Sequence, residues 1–266
     1  MSEESVIQQG SIYTQDALLL HLRDLGVQEG NCVCVHTAMS KMGWVCGGEQ
    51  AVVQALLQAV GNCGTLVMPA QCGSNSEPSL WQNPPVPKGW QRAIRDNMPA
   101  FDVDKSPTRK MGRVAELFRK WPGTLRSNNP MSSFVANGPL AESITRVHPY
   151  DYSLGDGTPC EVMYDINTKV LLIGVSYDNC TIMHLGENRY GRLPIMKGGC
   201  AVMESGQRVW KQYEDYELDS ERFIPVGQSM EQSGLVKRGF VGDANALLFN
   251  ASEAVDATLK YLKENL

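Results

Sequence analysis

The chain has 266 residues, 42% of them hydrophobic and 20% charged, with a net charge of −5. This composition suits a folded globular protein and excludes a disordered chain, a collagen-like repeat and an extended coiled coil. The longest aliphatic run, Val170 to Val175, is too short to span a bilayer, and a mild acidic excess without a basic stretch argues against nucleic acid as the main partner.

Thr14 is placed to cap a helix over residues 14–25, with Asp16 in its first turn and Gly26 as its stop. Asn31-Cys-Val-Cys-Val-His36 reads as a buried strand. A Gly-rich loop from Gly43 to Gly48 enters a helix whose apolar stripe is Val52, Val53, Leu56, Leu57 and Val60, and Gly64 to Pro69 reads as a second strand. Helix, strand, helix, strand is the rhythm of an α/β sheet with crossovers. Residues 70–107 break it: they hold six of the fourteen prolines, together with Trp81 and Trp90, and read as a substrate loop or lid. A helix is expected over 109–120, stopped by Trp121-Pro122-Gly123, and another over about 139–147 after an irregular stretch from Ser127 to Gly138. Thr158-Pro159-Cys160-Glu161 has capping-box spacing with Pro at the first helical position. Val170 to Val175 reads as a core strand, followed by Ser176-Tyr-Asp-Asn179 and a helix over 181–189. Residues 199–204 and 207–212 read as a hairpin, and helices over 220–232 and 252–264 close the chain. No repeat or linker divides it, so one domain over residues 1–266 is expected.

The opening Met1-Ser2-Glu3-Glu4-Ser5 has neither the basic nor the apolar part of a signal peptide, and the expectation is a soluble, cytoplasmic protein without membrane contact. The eight cysteines form no Cys-x-x-Cys pair and have no His at zinc-finger spacing. Buried, reduced thiols and no metal are therefore expected, with Cys32 and Cys34 on one face of their strand.

Of the four histidines, His21 reads as inert and His148 has no assigned role. His184 lies in the first turn of a helix that starts just beyond the carboxyl end of the core strand, where open α/β sheets bind ligands. Glu187 follows at i+3, on the same face, and a carboxylate there fixes the imidazole tautomer as a general base requires. The plain alternative is an exposed ion pair. His36 ends a strand and leads into Thr37-Ala38-Met39-Ser40, a turn with backbone N–H groups for an anionic or carbonyl ligand, or simply a structural loop. Glu214 to Glu221 packs five carboxylates into eight residues: a solvated loop, or a wall that attracts a polycation.

Taken in order, these segments resemble the aminoglycoside 3-N-acetyltransferase family from about residue 14 to 262. The resemblance is carried by His36-Thr-Ala-Met-Ser-Lys-Met-Gly-Trp-Val-Cys-Gly-Gly48, Leu66-Val-Met-Pro69, Asn75-Ser-Glu-Pro78 and Ser106-Pro-Thr-Arg-Lys-Met-Gly-Arg-Val-Ala-Glu-Leu-Phe118. Arg126-Ser-Asn-Asn-Pro130, Leu154-Gly-Asp-Gly-Thr-Pro159 and Thr181-Ile-Met-His-Leu-Gly-Glu187 follow. It implies a three-layer α/β/α sandwich with a mixed central sheet, distinct from the commoner GNAT acetyltransferase fold. It also implies acetyl-CoA as donor, the 3-amine of a deoxystreptamine ring as acceptor, and leaves a homodimer open. By resemblance, His184 is the general base, with Glu116 as a carboxylate that orients it beside Glu187. His36, Thr37, Ala38, Met39, Ser106, Thr108, Met111 and Gly112 fall where the donor binds, and Glu77, Glu214 and Asp215 where the cationic sugar binds. The sequence departs from the family pattern at Thr37-Ala38, Asn129 and Tyr177 to Cys180. These departures bear on substrate choice, so another amine acceptor, or a non-catalytic protein that binds CoA or a cationic sugar, are the alternatives. The expected chemistry is direct transfer in a ternary complex, with the cysteines as bystanders.

Overall fold

The computed structural model describes residues 3–8 and 10–266. The chain runs α1 (Glu3–Ile7), β1 (Ile12–Tyr13), α2 (Gln15–Leu25), β2 (Cys32–Thr37), β3 (Trp44–Val45), α3 (Gly48–Val60) and β4 (Thr65–Pro69). It continues through α4 (Gln91–Asn97), α5 (Gly112–Phe118), β5 (Leu125–Arg126), β6 (Phe134–Asn137), α6 (Ala141–Thr145), α7 (Pro159–Asp165) and β7 (Lys169–Ile173). The last elements are α8 (His184–Tyr190), β8 (Ile195–Glu204), β9 (Gln207–Tyr216), α9 (Phe223–Gln232), β10 (Lys237–Val241), β11 (Ala244–Asn250) and α10 (Ala251–Asn265).

Seven strands form one mixed sheet in the order β10-β11-β7-β2-β4-β6-β5. The central trio β7, β2 and β4 is parallel, and every outer pairing is antiparallel. The trio is buried on both faces, which explains its runs of Val, Leu, Ile and Cys. Alternation splits the strand side chains between two layers. Val33, Val35, Leu171 and Ile173 pack with α2, α3 and α5, while Cys32, Cys34, Val170 and Leu172 pack with α6 to α10. The result is the expected α/β/α sandwich. Among the described residues no helix is long and apolar enough to cross a membrane.

Local chemistry sets the helix ends. Thr14 Oγ1 accepts from Ala17 N–H, and Gly26 ends α2 at φ 111°, a conformation that costs a glycine little. Thr158 Oγ1 accepts from Cys160 N–H, while Glu161 reaches back to Gly157 N–H, one residue before the cap.

Several expectations are corrected. The helix expected over 109–120 begins only at Gly112, because Lys110 and Gly112 take φ 63° and 84° and interrupt the spiral. The helix expected over 139–147 shrinks to α6. Residues 70–107 contain α4 and are pinned to the β8–β9 hairpin through Asn75, whose amide side chain exchanges two 2.8 Å hydrogen bonds with Ala201 N–H and C=O. Each hairpin strand spans ten residues, so Glu214 and Asp215 are strand residues, not loop. β1, β3, β5, β6, β10 and β11 were not anticipated. Six cysteines are buried, but Cys46 and Cys63 are exposed, because they lie in the turns flanking α3.

Candidate active site

Parallel pairing of β2 with β7 brings the chain out of both strands at the same sheet edge, the ligand-binding edge of such sheets. A cavity of about 550 Å³ opens there. His36 to Ser40, leaving β2, form one wall; Lys110 to Arg113, entering α5, form another; Asp178, Thr181, His184 and Ser220 close it. A second cavity of about 450 Å³ shares Met39, Ser40 and Arg113 with the first and runs along the Gly-rich loop to Gly47 and Gly48. Together they make a long trough ending at the start of α3.

His184 begins α8 after two tight turns, at 177–179 and 181–183. The helix is held close to α10 because residue 186 is glycine: a Cβ there would lie 2.7 Å from Thr258 Cβ. His184 is mostly buried but lines the cavity, and its Nδ1 lies 2.6 Å from Glu187 Oε2. A carboxylate accepts only, so Nδ1 carries a proton, and Nε2 is the ring nitrogen left for other partners. The Phe223 ring packs edge-on against the imidazole at 4.7 Å. Glu187 has no exposed surface, and Arg222 Nη1 at 2.8 Å and Asp219 N–H at 3.1 Å donate to its Oε1. The i+3 spacing therefore builds a buried dyad, not an exposed ion pair.

His36, Thr37, Ala38, Met39, Met111 and Gly112 all line the cavity with His184. Burial pushes the His36 imidazole down to about 4, so it lines the cavity as a neutral ring. Ala38 N–H is occupied by Ile173 O at 2.8 Å, which removes one expected donor of that turn. Lys110 holds a left-handed conformation at the rim, local strain of the kind found at ligand sites.

Other residues lie elsewhere. Glu116 does not bond to His184. Its carboxylate accepts from Thr108 N–H and hydroxyl at 2.8 and 2.9 Å and from Arg119, which is itself buried. Burial alone would raise this carboxyl; Arg119 and Thr108 overcome that and hold it at about 2. Thr108 is thereby tied to Glu116, and Ser106 Oγ to Asp102 N–H, so both stand behind the cavity wall, bracing it. Glu77 is gripped by Arg95 and Ser79, and Glu214 lies 3.3 Å from Lys197; both line a separate cavity of about 300 Å³. Asp215 is buried, with Ser153 N–H and hydroxyl and Tyr216 N–H all donating to it. Burial raises its carboxyl, and those bonds oppose the rise. His148 is a strut: Nε2 lies 2.8 Å from Ser153 O and Nδ1 2.8 Å from Ser127 Oγ.

The sequence reading missed Arg222 and Ser220. Arg222 is 35 residues from Glu187 in sequence, and no local pattern links them.

The aminoglycoside 3-N-acetyltransferase family profile matches residues 34–263. A Bacillus subtilis (strain 168) relative, the SPbeta prophage-derived aminoglycoside N(3')-acetyltransferase-like protein YokD, is 42% identical over 95% of this chain and 93% of its own. The crystal structure of YokD superposes with a TM-score of 0.93, covering 95% of this chain and 94% of that one. Aminoglycoside N(3)-acetyltransferase IX of Micromonospora chalcea is 33% identical over 100% of this chain and 99% of its own. AAC-IIIb, solved as a binary complex with CoASH, is 27% identical with a TM-score of 0.84, covering 96% of this chain and 98% of that one. With the profile spanning most of the sequence and these relatives matching it nearly end to end, the chain belongs to the aminoglycoside 3-N-acetyltransferase family.

Proposed function

We propose that the protein transfers the acetyl group of acetyl-CoA to the 3-amine of the deoxystreptamine ring of aminoglycosides, in the cytoplasm, directly within a ternary complex, and so confers resistance. The observation that carries this reading is His184, with Nδ1 fixed by a buried carboxylate and Nε2 free at a cavity that continues into a long trough. The trough suits the extended donor, and a solved relative, AAC-IIIb, binds CoASH. His36 to Met39 and Met111 to Gly112 would line the pantetheine arm, with Arg113 and Lys110 toward the phosphates.

An amine is nucleophilic only when unprotonated. His184 Nε2 takes a proton from the amine as nitrogen bonds to the thioester carbon, and Glu187 stabilises the imidazolium. The Met39 and Ser40 N–H groups, which open the 39–41 turn, take the role of donors to the developing oxyanion. The carbon–sulfur bond then breaks, and the imidazolium returns its proton to the CoA thiolate.

Direct transfer is supported by the thiols. Burial raises Cys34 well above its ordinary value, yet Cys34 lies 3.9 Å from His36, whose imidazole burial pushes down to about 4. These shifts oppose a thiolate–imidazolium pair. Cys180 is pushed up to about 12 by burial as well.

The test is thiol release from acetyl-CoA with kanamycin, gentamicin and an analogue lacking the 3-amine. Turnover with the first two and none with the third is expected, and His184→Ala should lower kcat by about two to four powers of ten. A second reading, transfer to a different amine, is favoured by the internal pairing of Glu77, Glu214 and Asp215, which leaves less free negative charge for a polycation. Turnover of no 3-amine aminoglycoside would decide for it.

A further inference from the structure

Glu187 is a fully buried carboxylate, and such a group needs its charge matched. Its two oxygens divide the task. Oε2 accepts from His184 Nδ1 at 2.6 Å, while Oε1 accepts from Arg222 Nη1 at 2.8 Å and Asp219 N–H at 3.1 Å. Arg222 Nε also lies 3.4 Å from Asp219 Oδ2. The segment that supplies these contacts wraps the dyad: Ser220 lines the cavity, Arg222 bonds the carboxylate, and Phe223 packs on the imidazole ring.

We propose that Arg222 is a positioning residue for His184, holding Glu187 by Oε1 so that Oε2 stays on Nδ1 while the imidazole remains a neutral base. The proposal rests on the reading of His184 as the base. A buried carboxylate whose one partner is an imidazole keeps that imidazole charged, and an imidazolium accepts no proton. A guanidinium behind the carboxylate supplies the countercharge instead and leaves the imidazole free to titrate. The charged groups around His184 are Glu187 on α8, Asp219 and Arg222 ahead of α9, Asp215 on β9, and Asp178, Lys110 and Arg113 in the cavity lining. Arg222 is the cation in contact with Glu187.

The experiment measures kcat/KM against pH for the wild type, Arg222→Gln, Arg222→Lys, Glu187→Gln and the double Arg222→Gln/Glu187→Gln. In parallel, the His184 imidazole is titrated by NMR, its signal assigned by its loss in His184→Ala; this readout needs no turnover. Gln at 222 removes the charge and, being shorter than Arg, also the Nη1 contact with Oε1, whereas Lys keeps the charge. In Arg222→Gln, the acid limb of the profile and the NMR midpoint should both move to higher pH by roughly one unit. Arg222→Lys should return both to the wild-type position, and on the Glu187→Gln background Arg222→Gln should move both by clearly less, because only the longer Arg222–His184 repulsion remains. The proposal is overturned if Arg222→Gln lowers kcat/KM equally at every pH with the NMR midpoint unmoved. It is equally overturned if Arg222→Lys shifts as far as Arg222→Gln, or if the shift is undiminished on the Glu187→Gln background. Should the wild type turn over no amine, the proposed function fails while the NMR comparison still decides the role of Arg222.

Discussion

Glu116 shows how a carboxylate is set by what opposes its burial. Arg119 and Thr108 hold its carboxyl at about 2 against the effect of burial. In the unfolded chain it titrates near its ordinary value of about 4.3. Its contribution to stability is therefore complete above that value and is lost as pH falls toward 2. Glu116→Gln should destabilise the protein by about 1–3 kcal/mol at pH 7 by stripping a buried guanidinium of its partner. Urea unfolding of wild type and variant at pH 7, 4 and 3 checks this. The gap should narrow between pH 4 and 3, and an unchanging gap would show that the ion pair contributes little. The His184–Glu187 pair was legible because both members lie within one helical turn. The contacts of Glu116 with Thr108 and of Glu187 with Arg222 were not, since they are reached by tertiary folding: Thr108 through a left-handed turn at Lys110, and Arg222 from the far side of the hairpin.

Among the elements, the β8–β9 hairpin and residues 70–107 depend on one another. The Asn75 side chain pairs with the free edge of β8 at Ala201 as another strand would, and Arg208 on β9 donates to Met98 O and Arg95 O. Gly198 and Gly199 leave room for the Tyr213 and Trp210 rings, where a Cβ would come within 2.3 and 2.4 Å of them. Asn75→Leu leaves the Ala201 N–H buried without a partner, at a cost of about 1–3 kcal/mol. It should also free the exposed stretch around Asn83 to Pro87, so limited proteolysis there should accelerate relative to wild type. Equal cleavage rates would mean that Arg208 alone secures the segment. β2 and β7 were legible because strands buried on both faces read as unbroken apolar runs. β10 and β11 were not: β10 reads Lys-Arg-Gly-Phe-Val, and β11 pairs with β7 about seventy-five positions earlier, as Leu248 with Leu171. An antiparallel strand at the margin of a sheet carries a weak pattern of its own and is defined by its neighbours.

For the whole molecule, the decisive feature is how much titratable material the sandwich encloses. Burial pushes both His36 and His148 down to about 4, partly offset at His148 by its bond to Ser153. One lies at the sheet edge beside the cavity and the other braces the loops behind Asp215. Unfolded, each imidazole titrates near 6.5. Between that value and 4 the unfolded chain binds more protons than the native one, so stability must fall as pH falls through this window. Two such groups give a slope of up to about 2.7 kcal/mol per pH unit. Asp215 acts with the opposite sign: its raised carboxyl binds a proton sooner in the folded chain than in the unfolded one, which softens the loss at the acid end. The steepest decline is therefore expected between about pH 6 and 5. Unfolding at pH 5.3 should take up close to two protons through these histidines, measurable as the pH dependence of the urea midpoint or directly by calorimetry in buffers of different ionisation heat. His148→Gln, which keeps an N–H for Ser153 O, should reduce the uptake by about one proton and flatten the pH dependence. An uptake unchanged by that substitution would mean that His148 is already charged in the folded protein, and that Ser153 and Asp215 are held by a cation rather than by a neutral strut.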